Sequence, residues 1–526
     1  MSIELPRLGN DEKLSLKLRR AFELKGYHLF RVGSFEEYDI YLKNKSFLAG
    51  EDVITFTGAN GKLMALKPDV TLSIAKSITN GAERKLYYSE NVFRRNKQTG
   101  EYSEIRQIGV ERIGKIGIEE EAEILNLAVQ SLDMVGKSSL LISHMGVVET
   151  LLEYFDSPYY RKKAVEYLKA KSIHSLEELT KEAGLTDEAA DDILSFSRLK
   201  GQFSEVCEEL KEIWIKRGFS DEPLIQLYEL GKQLAEINII ERIYLDFSII
   251  NNIDYYNGLV FQGYVDGIPH SVLSGGRYDN LMKKFKKSQG AVGFAIYLDE
   301  IENVDKKSKG DEDETWVNIA LPKGRMGSDT LKLLKMADVV LDGIEEDSRK
   351  LIFEDKSKKI RCFLVKPSDV GSYVEHGAAD IGVVGKDILL ENSHAVLELY
   401  DTGIGKCRIV VAGKEGFCDF DNKILKVASK FPNIARNYFA SKGRTVEVIE
   451  LQGSIELAPL VGLSDVIVDI TESGSTLRDN NLEIISVVSE SSARLIANKS
   501  AYIFKGERIN RLIGILKGEF HENYYG

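Results

Sequence analysis

Cysteine is scarce in this 526-residue chain: four residues, Cys207, Cys362, Cys407 and Cys418, with no CxxC pair among them. That spacing excludes a zinc knuckle and a disulfide framework, and leaves reduced thiols of an intracellular protein. An excess of positive charge is also missing. Lysine and arginine number 70 against 82 acidic residues, a net charge of −12. No domain-wide field therefore attracts nucleic acid, and a site for an anion must be built from local cations. Long apolar runs are absent, so no segment reaches the roughly 18–20 residues that span a bilayer. The opening MSIELPRLGN lacks the apolar core of a secretory signal, so a cytoplasmic location is expected. No short-period repeat is present, which excludes a solenoid. What remains is an ordinary globular composition, 43% hydrophobic and 29% charged, in a chain long enough for about three or four domains.

The sharpest break is Asn303–Thr315, NVDKKSKGDEDET. It is charged and nearly free of apolar residues, so it cannot order itself by burial and reads as a linker. It divides a segment 1–302 from a segment 316–526. In the first, Leu63–Leu66, Lys85–Tyr88, Arg242–Phe247 and Val260–Val265 have strand composition. About 148–237 is helical in pattern, with a capping-box start at Ser175. These features predict an antiparallel sheet with a helical insertion, an α+β architecture. In the second, strand and helix alternate: strand Val317–Leu321, turn Pro322–Arg325, helix Ser328–Ala337. Strands follow at Ile381–Val384 and Ile409–Ala412, then helix Asn433–Ser441 and strand Val446–Glu450. That rhythm predicts α/β architecture with ligand loops at the strand ends.

One segment carries chemistry. Val466–Ile470 is a buried strand that ends near the carboxylate of Asp469, and Thr471-Glu472-Ser473-Gly474-Ser475-Thr476 follows as a turn of small residues. Hydroxyls and backbone N–H groups converging on one point suit a phosphate. Asp469 at the strand end is placed to accept hydrogen bonds from ribose hydroxyls. Strand–turn–helix joints use the same residues for geometry alone, so the turn by itself leaves both readings open.

The wider pattern is specific. Glu456, Gly462, Ser464, Asp469, Ser473, Gly474, Thr476 and Leu477 stand at the spacings of the ATP phosphoribosyltransferase signature, and the window resembles that family without a gap. Ile319–Arg325 (IALPKGR), Asp380–Asp387 (DIGVVGKD), Cys407–Gly413, Lys426–Arg436 and Ser491–Asn498 are similar to further blocks of the family. The resemblance covers 315–526, fits the short form of the enzyme, and implies a two-lobed fold of the periplasmic-binding-protein type. It implies that N1 of the adenine of ATP attacks C1 of phosphoribosyl pyrophosphate, releasing pyrophosphate, with Mg²⁺ bridging substrate oxygens and no protein side chain as metal ligand. Adenine N1 is already a nucleophile, so no general base is assigned; positioning and charge stabilisation carry the rate. The expected catalytic residues are Lys323, Arg325 and Asp469. Asp469, Thr471, Glu472, Ser473, Gly474, Ser475 and Thr476 hold phosphoribosyl pyrophosphate. Lys386 and Arg408 serve as contacts to ATP or other anions, with a structural role equally open.

The first segment resembles a class II aminoacyl-tRNA synthetase core, that of the histidyl enzyme. Met64–Thr71, Glu90–Arg94 with Gln107–Glu111, Ile253–Gly258, Leu273–Asp279 and Val292–Ile296 are similar to its blocks in order. The departures argue against aminoacylation. Asn251 and Glu300 stand where the family has arginines, Asn96 where it has an acidic residue, and Glu101 and Ser103 where basic residues would serve. No anticodon-binding domain precedes the linker, so no tRNA partner is expected. The amino-acid pocket survives: Asp69, Gln107, Glu111, Tyr255 and Tyr256 match positions that line it. Carboxylates pair with an amine, and tyrosines pack and hydrogen-bond an imidazole. The segment thus resembles the regulatory subunit that accompanies the short-form transferase in histidine biosynthesis, here fused ahead of it. The resemblance implies feedback inhibition by histidine, a homo-oligomer of tetramer size or larger, and no membrane partner.

Overall fold

The computed structural model describes residues 8–43, 53–95, 101–251, 255–302, 316–341, 350–419 and 423–517. The expected linker 303–315 and Asn96 lie outside these residues. The chain divides into two compact units, Met1–Glu314 and Thr315–Gly526.

In the first unit the long strands Arg84–Arg95 and Tyr102–Gly114 form a hairpin. Gly290–Tyr297, Leu273–Arg277, Leu259–Val265 and Ser138–His144 follow in antiparallel order. Two pairings depart from the antiparallel expectation. His28–Leu29 joins Arg84–Arg95 in parallel, and Ile243–Asp246 joins Ser138–His144 in parallel. Along Tyr102–Gly114 successive side chains alternate faces, so Gln107, Gly109 and Glu111 share one. Helix Ile118–Asp133 packs against strands of the sheet, including Ser138–His144 and Gly290–Tyr297.

The region 148–237 holds helices Met145–Leu152, Pro158–Ala170, Ile173–Glu182, Asp187–Arg198, Phe203–Arg217 and Glu222–Glu236. Two local readings are corrected here. The helix expected to start at Ser175 begins at Ile173, with Ser172 at its N-cap; Ser175 lies inside the first turn and its hydroxyl bonds that of Ser172 at 2.9 Å. The insertion also contains a strand, Lys200–Gln202, that pairs with Ile243–Asp246 at the sheet edge.

The second unit has two lobes, each a sheet with flanking helices. In the first lobe Val317–Pro322 runs parallel between Ile360–Val365 and Ile381–Gly385. Ala493–Ala497 and Leu397–Asp401 return antiparallel. In the second lobe Val446–Glu450, Leu425–Ser429 and Val466–Thr471 are parallel neighbours, followed by antiparallel Cys407–Lys414 and Leu482–Ser491. The chain passes between lobes at 402–406 and again at Ser492. Helix Arg325–Met336 begins three residues earlier than expected, directly after the strand-end turn. This architecture is the α/β, two-lobed one expected, with each parallel strand pointing its C-terminal end toward a loop.

Candidate active site and amino-acid pocket

In the second lobe the strand Val466–Thr471 is buried through Val468, and Asp469 and Ile470 emerge at its end. Asp469 Oδ1 accepts the N–H of Ile470 at 2.8 Å. Burial pushes its carboxyl up to about 6, and the negative charge of Glu456 adds to that; the Ile470 N–H and the Lys430 ammonium act against it. Removal from water disfavours the ionised form of such a carboxyl. The turn behind it is closed by its own hydroxyls. Thr471 Oγ1 accepts the N–H of Gly474 at 2.9 Å, and Ser473 Oγ accepts that of Ser475 at 3.3 Å. Arg478 Nη1 donates to the Ser473 carbonyl at 3.1 Å. Gly474 has φ +74°, a left-handed conformation that a side chain would strain. Thr476 lies in the short helix Ser475–Asp479.

In the first lobe Lys323 and Arg325 stand on the turn after Val317–Pro322. The Lys323 N–H is fixed by the Val365 carbonyl at 2.8 Å, and its side chain is exposed. Arg325 pairs with Glu472, so the structure joins the cationic turn of one lobe to the small-residue turn of the other. Arg408 is half-buried on the neighbouring strand, in register with Thr471. Lys386 is not in the open cleft. It is buried, with Nζ 2.5 Å from Glu398, in a network where Arg494 meets Glu398 at 3.4 Å and Asp401 at 2.7 Å. Its charge is spent on structure.

Two cleft groups carry no expected role. Lys430 follows the strand Leu425–Ser429, whose Ser429 is in register with Val468, so it is level with Asp469 and senses its charge. Asp387 faces Lys430 from the first lobe; it is buried, bonded to Ser491 Oγ at 3.1 Å and raised by burial. The signal for Lys430 was present, a basic residue just beyond a parallel strand, but strand order is needed to see which strand it adjoins.

In the first unit Glu111 is buried on the sheet face. Its Oε1 accepts from Thr71 Oγ1 at 2.6 Å and its Oε2 from the Tyr278 hydroxyl at 2.5 Å; burial nevertheless pushes it up to about 8. Asp69 is the N-cap of helix Val70–Ser77, accepting the Leu72 N–H at 2.8 Å, and is raised by burial. Tyr255 is buried with its ring 4.6 Å from that of Tyr256 and 5.9 Å from that of Tyr278. Gln107 is buried in register with Tyr297. All five expected residues belong to this region, joined by Tyr88, Tyr278 and Tyr297, which the sequence did not single out. The room is made by Gly293, where a Cβ would stand 2.0 Å from Glu111 Oε2.

Two arginines of this unit, Arg94 and Arg106, and the departure Asn251 are paired locally. Arg94 Nε donates to the Pro68 carbonyl at 3.0 Å, and Nη2 lies 3.8 Å from Asp69. Asn251 Oδ1 accepts from Gln262 Nε2 at 3.2 Å. Arg106 is enclosed by Asp11 and Asp299, each at 2.7 Å, and by Glu302. Among the described residues no cluster of His, Cys, Asp and Glu could hold a metal, and no helix is long and apolar enough to cross a membrane.

Comparisons with known proteins follow the same division. A histidyl-tRNA synthetase family model matches residues 4–301, and an ATP phosphoribosyltransferase family model matches residues 366–518. The ATP phosphoribosyltransferase of Brachyspira hyodysenteriae is 54% identical over 198 residues, 38% of this chain and 96% of that protein. That of Clostridioides difficile is 50% identical over 203 residues, 38% of this chain and 97% of that protein. A solved structure from Bacillus halodurans C, described as an ATP phosphoribosyltransferase regulatory subunit/histidyl-tRNA synthetase, aligns with a TM-score of 0.51 at 21% identity. It covers 64% of this chain and 90% of that one, a likeness of fold. The chain therefore belongs to the ATP phosphoribosyltransferase family, a glycosyltransferase of histidine biosynthesis, and carries ahead of its catalytic unit a domain of the histidyl-tRNA synthetase family.

Proposed function

We propose that residues 316–526 join N1 of ATP adenine to C1 of phosphoribosyl pyrophosphate in the cleft between their two lobes, under control of residues 1–302. The observation that carries the assignment of the site is Asp469 at a strand end, its carboxyl raised by burial, beside a turn in which the Gly474 and Ser475 amides are held by the Thr471 and Ser473 hydroxyls. A 5-phosphate replaces the Thr471 and Ser473 hydroxyls as acceptor for the Gly474 and Ser475 N–H groups. Asp469 accepts from the ribose hydroxyls, which orients C1 toward the adenine. Lys323, Arg325 and Lys430 are the cations of the cleft; they offset the repulsion of two polyanions and the charge that develops on departing pyrophosphate. Arg325 must leave Glu472 to do so, an exchange of one exposed pair for another. Arg408 stands beside the turn as a further anion contact, whereas Lys386 serves the buried network. Mg²⁺, carried on substrate oxygens, supplies charge neutralisation, and the mutual repulsion of Asp469 and Glu456 fits a site that receives a cation.

The first unit supplies histidine feedback in this reading. Asp69 and Glu111 are buried carboxylates raised by desolvation, and an α-amine or imidazolium relieves both. Tyr255 and Tyr256, with Gln107 beside them, form the wall for the ring. This reading includes a homo-oligomer of tetramer size or larger in the cytoplasm. The test is release of pyrophosphate and phosphoribosyl-ATP from ATP, phosphoribosyl pyrophosphate and Mg²⁺, measured across a histidine titration. No product without histidine ends the catalytic reading; product insensitive to histidine ends the regulatory one.

A further inference from the structure

The helix Pro432–Ser441 of the second lobe opens immediately after Lys430, and its own N-cap residue is Phe431, which has no side-chain acceptor. Its first N–H groups are orphans that need one. They find it in the other lobe. Glu391, near the end of helix Lys386–Asn392, accepts the Asn433 N–H at 3.0 Å on Oε1 and 3.1 Å on Oε2, and the Ile434 N–H at 3.0 Å on Oε2. Asn433 Nδ2 returns a bond to the Glu391 carbonyl at 3.1 Å. The apolar residues of the same helix divide between the lobes. Leu389 packs into the core of the first, Leu390 into that of the second, and Ile388 touches both.

We propose that Glu391 is a positioning residue for the transferase, a cap supplied across the cleft that holds the Lys430 end of the second lobe against the first. This rests on the cleft between the lobes being the active site. A charged acceptor at a helix N-terminus is stabilised by the helix dipole as well as by the hydrogen bonds. Because the cap and its helix belong to different lobes, that stabilisation is present only when the lobes are together. It therefore keeps Lys430 and Asp469 in substrate-ready relation to Lys323 and Arg325. Without it, substrate binding must do the work of closing, and apparent affinity falls by the fraction of chains that are ready, while the closed complex itself is unchanged.

The experiment is steady-state kinetics of the full chain without histidine, with phosphoribosyl pyrophosphate varied at saturating ATP and Mg²⁺. Amide exchange at Asn433 and Ile434 is followed in the same proteins. Glu391→Ala is expected to raise KM for phosphoribosyl pyrophosphate about five- to tenfold with kcat within about twofold. Its two amides, left without their acceptor, exchange faster whether or not the substrate is added. Glu391→Gln should recover most of the loss, because one oxygen already accepts both N–H groups. An unchanged KM in Glu391→Ala, or a fall in kcat at constant KM in both variants, overturns the proposal. A wild-type chain that makes no phosphoribosyl-ATP instead removes the transferase reading, which this comparison tests separately.

Discussion

Replacing Asp469 by asparagine should make the catalytic unit more stable and less active, and the structure sets the size of the first effect. The carboxyl of Asp469 is pushed from its ordinary 3.8 up to about 6 by burial and by Glu456. An acid whose pKa is raised on folding favours the folded state while protonated. That contribution is complete below the unfolded value and is lost as pH rises through the folded one. A shift of about two units corresponds to about 3 kcal/mol between pH 4 and pH 8. Asparagine keeps the acceptor that Ile470 N–H uses and carries no charge at any pH. The two proteins should thus unfold alike near pH 4, and the variant should be more stable by about 2–3 kcal/mol at pH 8. The assay is urea denaturation at several pH values, following the transition that shifts on adding phosphoribosyl pyrophosphate. Groups common to both proteins cancel in the difference. Turnover of the variant should fall about 10- to 100-fold, the worth of charged hydrogen bonds to two hydroxyls. A variant less stable than wild type at pH 8, or a difference independent of pH, would refute the view that burying the charge of Asp469 costs the folded state stability.

Three further outcomes follow from the first unit. Burial pushes Glu111 up to about 8, so binding of the α-ammonium of histidine beside it at pH 7 should release a proton. Calorimetry in two buffers of different ionisation enthalpy detects it, and Glu111→Gln should abolish it. Tyr255→Ala removes a ring that packs on Tyr256 and Tyr278, and should raise the half-inhibitory histidine concentration by more than it lowers histidine-free turnover; equal effects would place the sensor elsewhere. Gly293→Ala sets a Cβ 2.0 Å from Glu111 Oε2 and 2.3 Å from the Val110 carbonyl. Thermal melting should show a loss of about 1–3 kcal/mol in the first unit, with histidine sensitivity lost and catalysis retained.

Much of the fold was legible because its strands announce themselves by composition. Leu63–Leu66 and Val446–Glu450 keep their expected bounds, and Val466–Ile470 and Val317–Leu321 each gain one residue. The errors have physical causes. Ser175 satisfied a capping pattern, but Ser172 stood three residues earlier and took the N-cap position. Lys200–Gln202 is a strand only because Ile243–Asp246 lies beside it, and no three-residue window reports a partner so far along the chain. For Lys386 the sequence left an anion contact and a structural role equally open, because its spacing says nothing of Glu398, 12 residues away, with which it pairs.

The sequence by itself determined the kinds of chemistry available: a strand ending near Asp469, a turn rich in small hydroxyl residues, and cations on a Pro-Gly turn. These are local properties of residue type and spacing, and they need no partner to be read. Tertiary structure decided which of those groups are charged, spent or available. Folding brings Glu456 and Lys430 beside Asp469, seats Glu111 where water cannot reach it, and lets Glu391 cap a helix that starts 41 residues later. Electrostatic energy and hydrogen bonding depend on distance through space, and only the fold sets that distance.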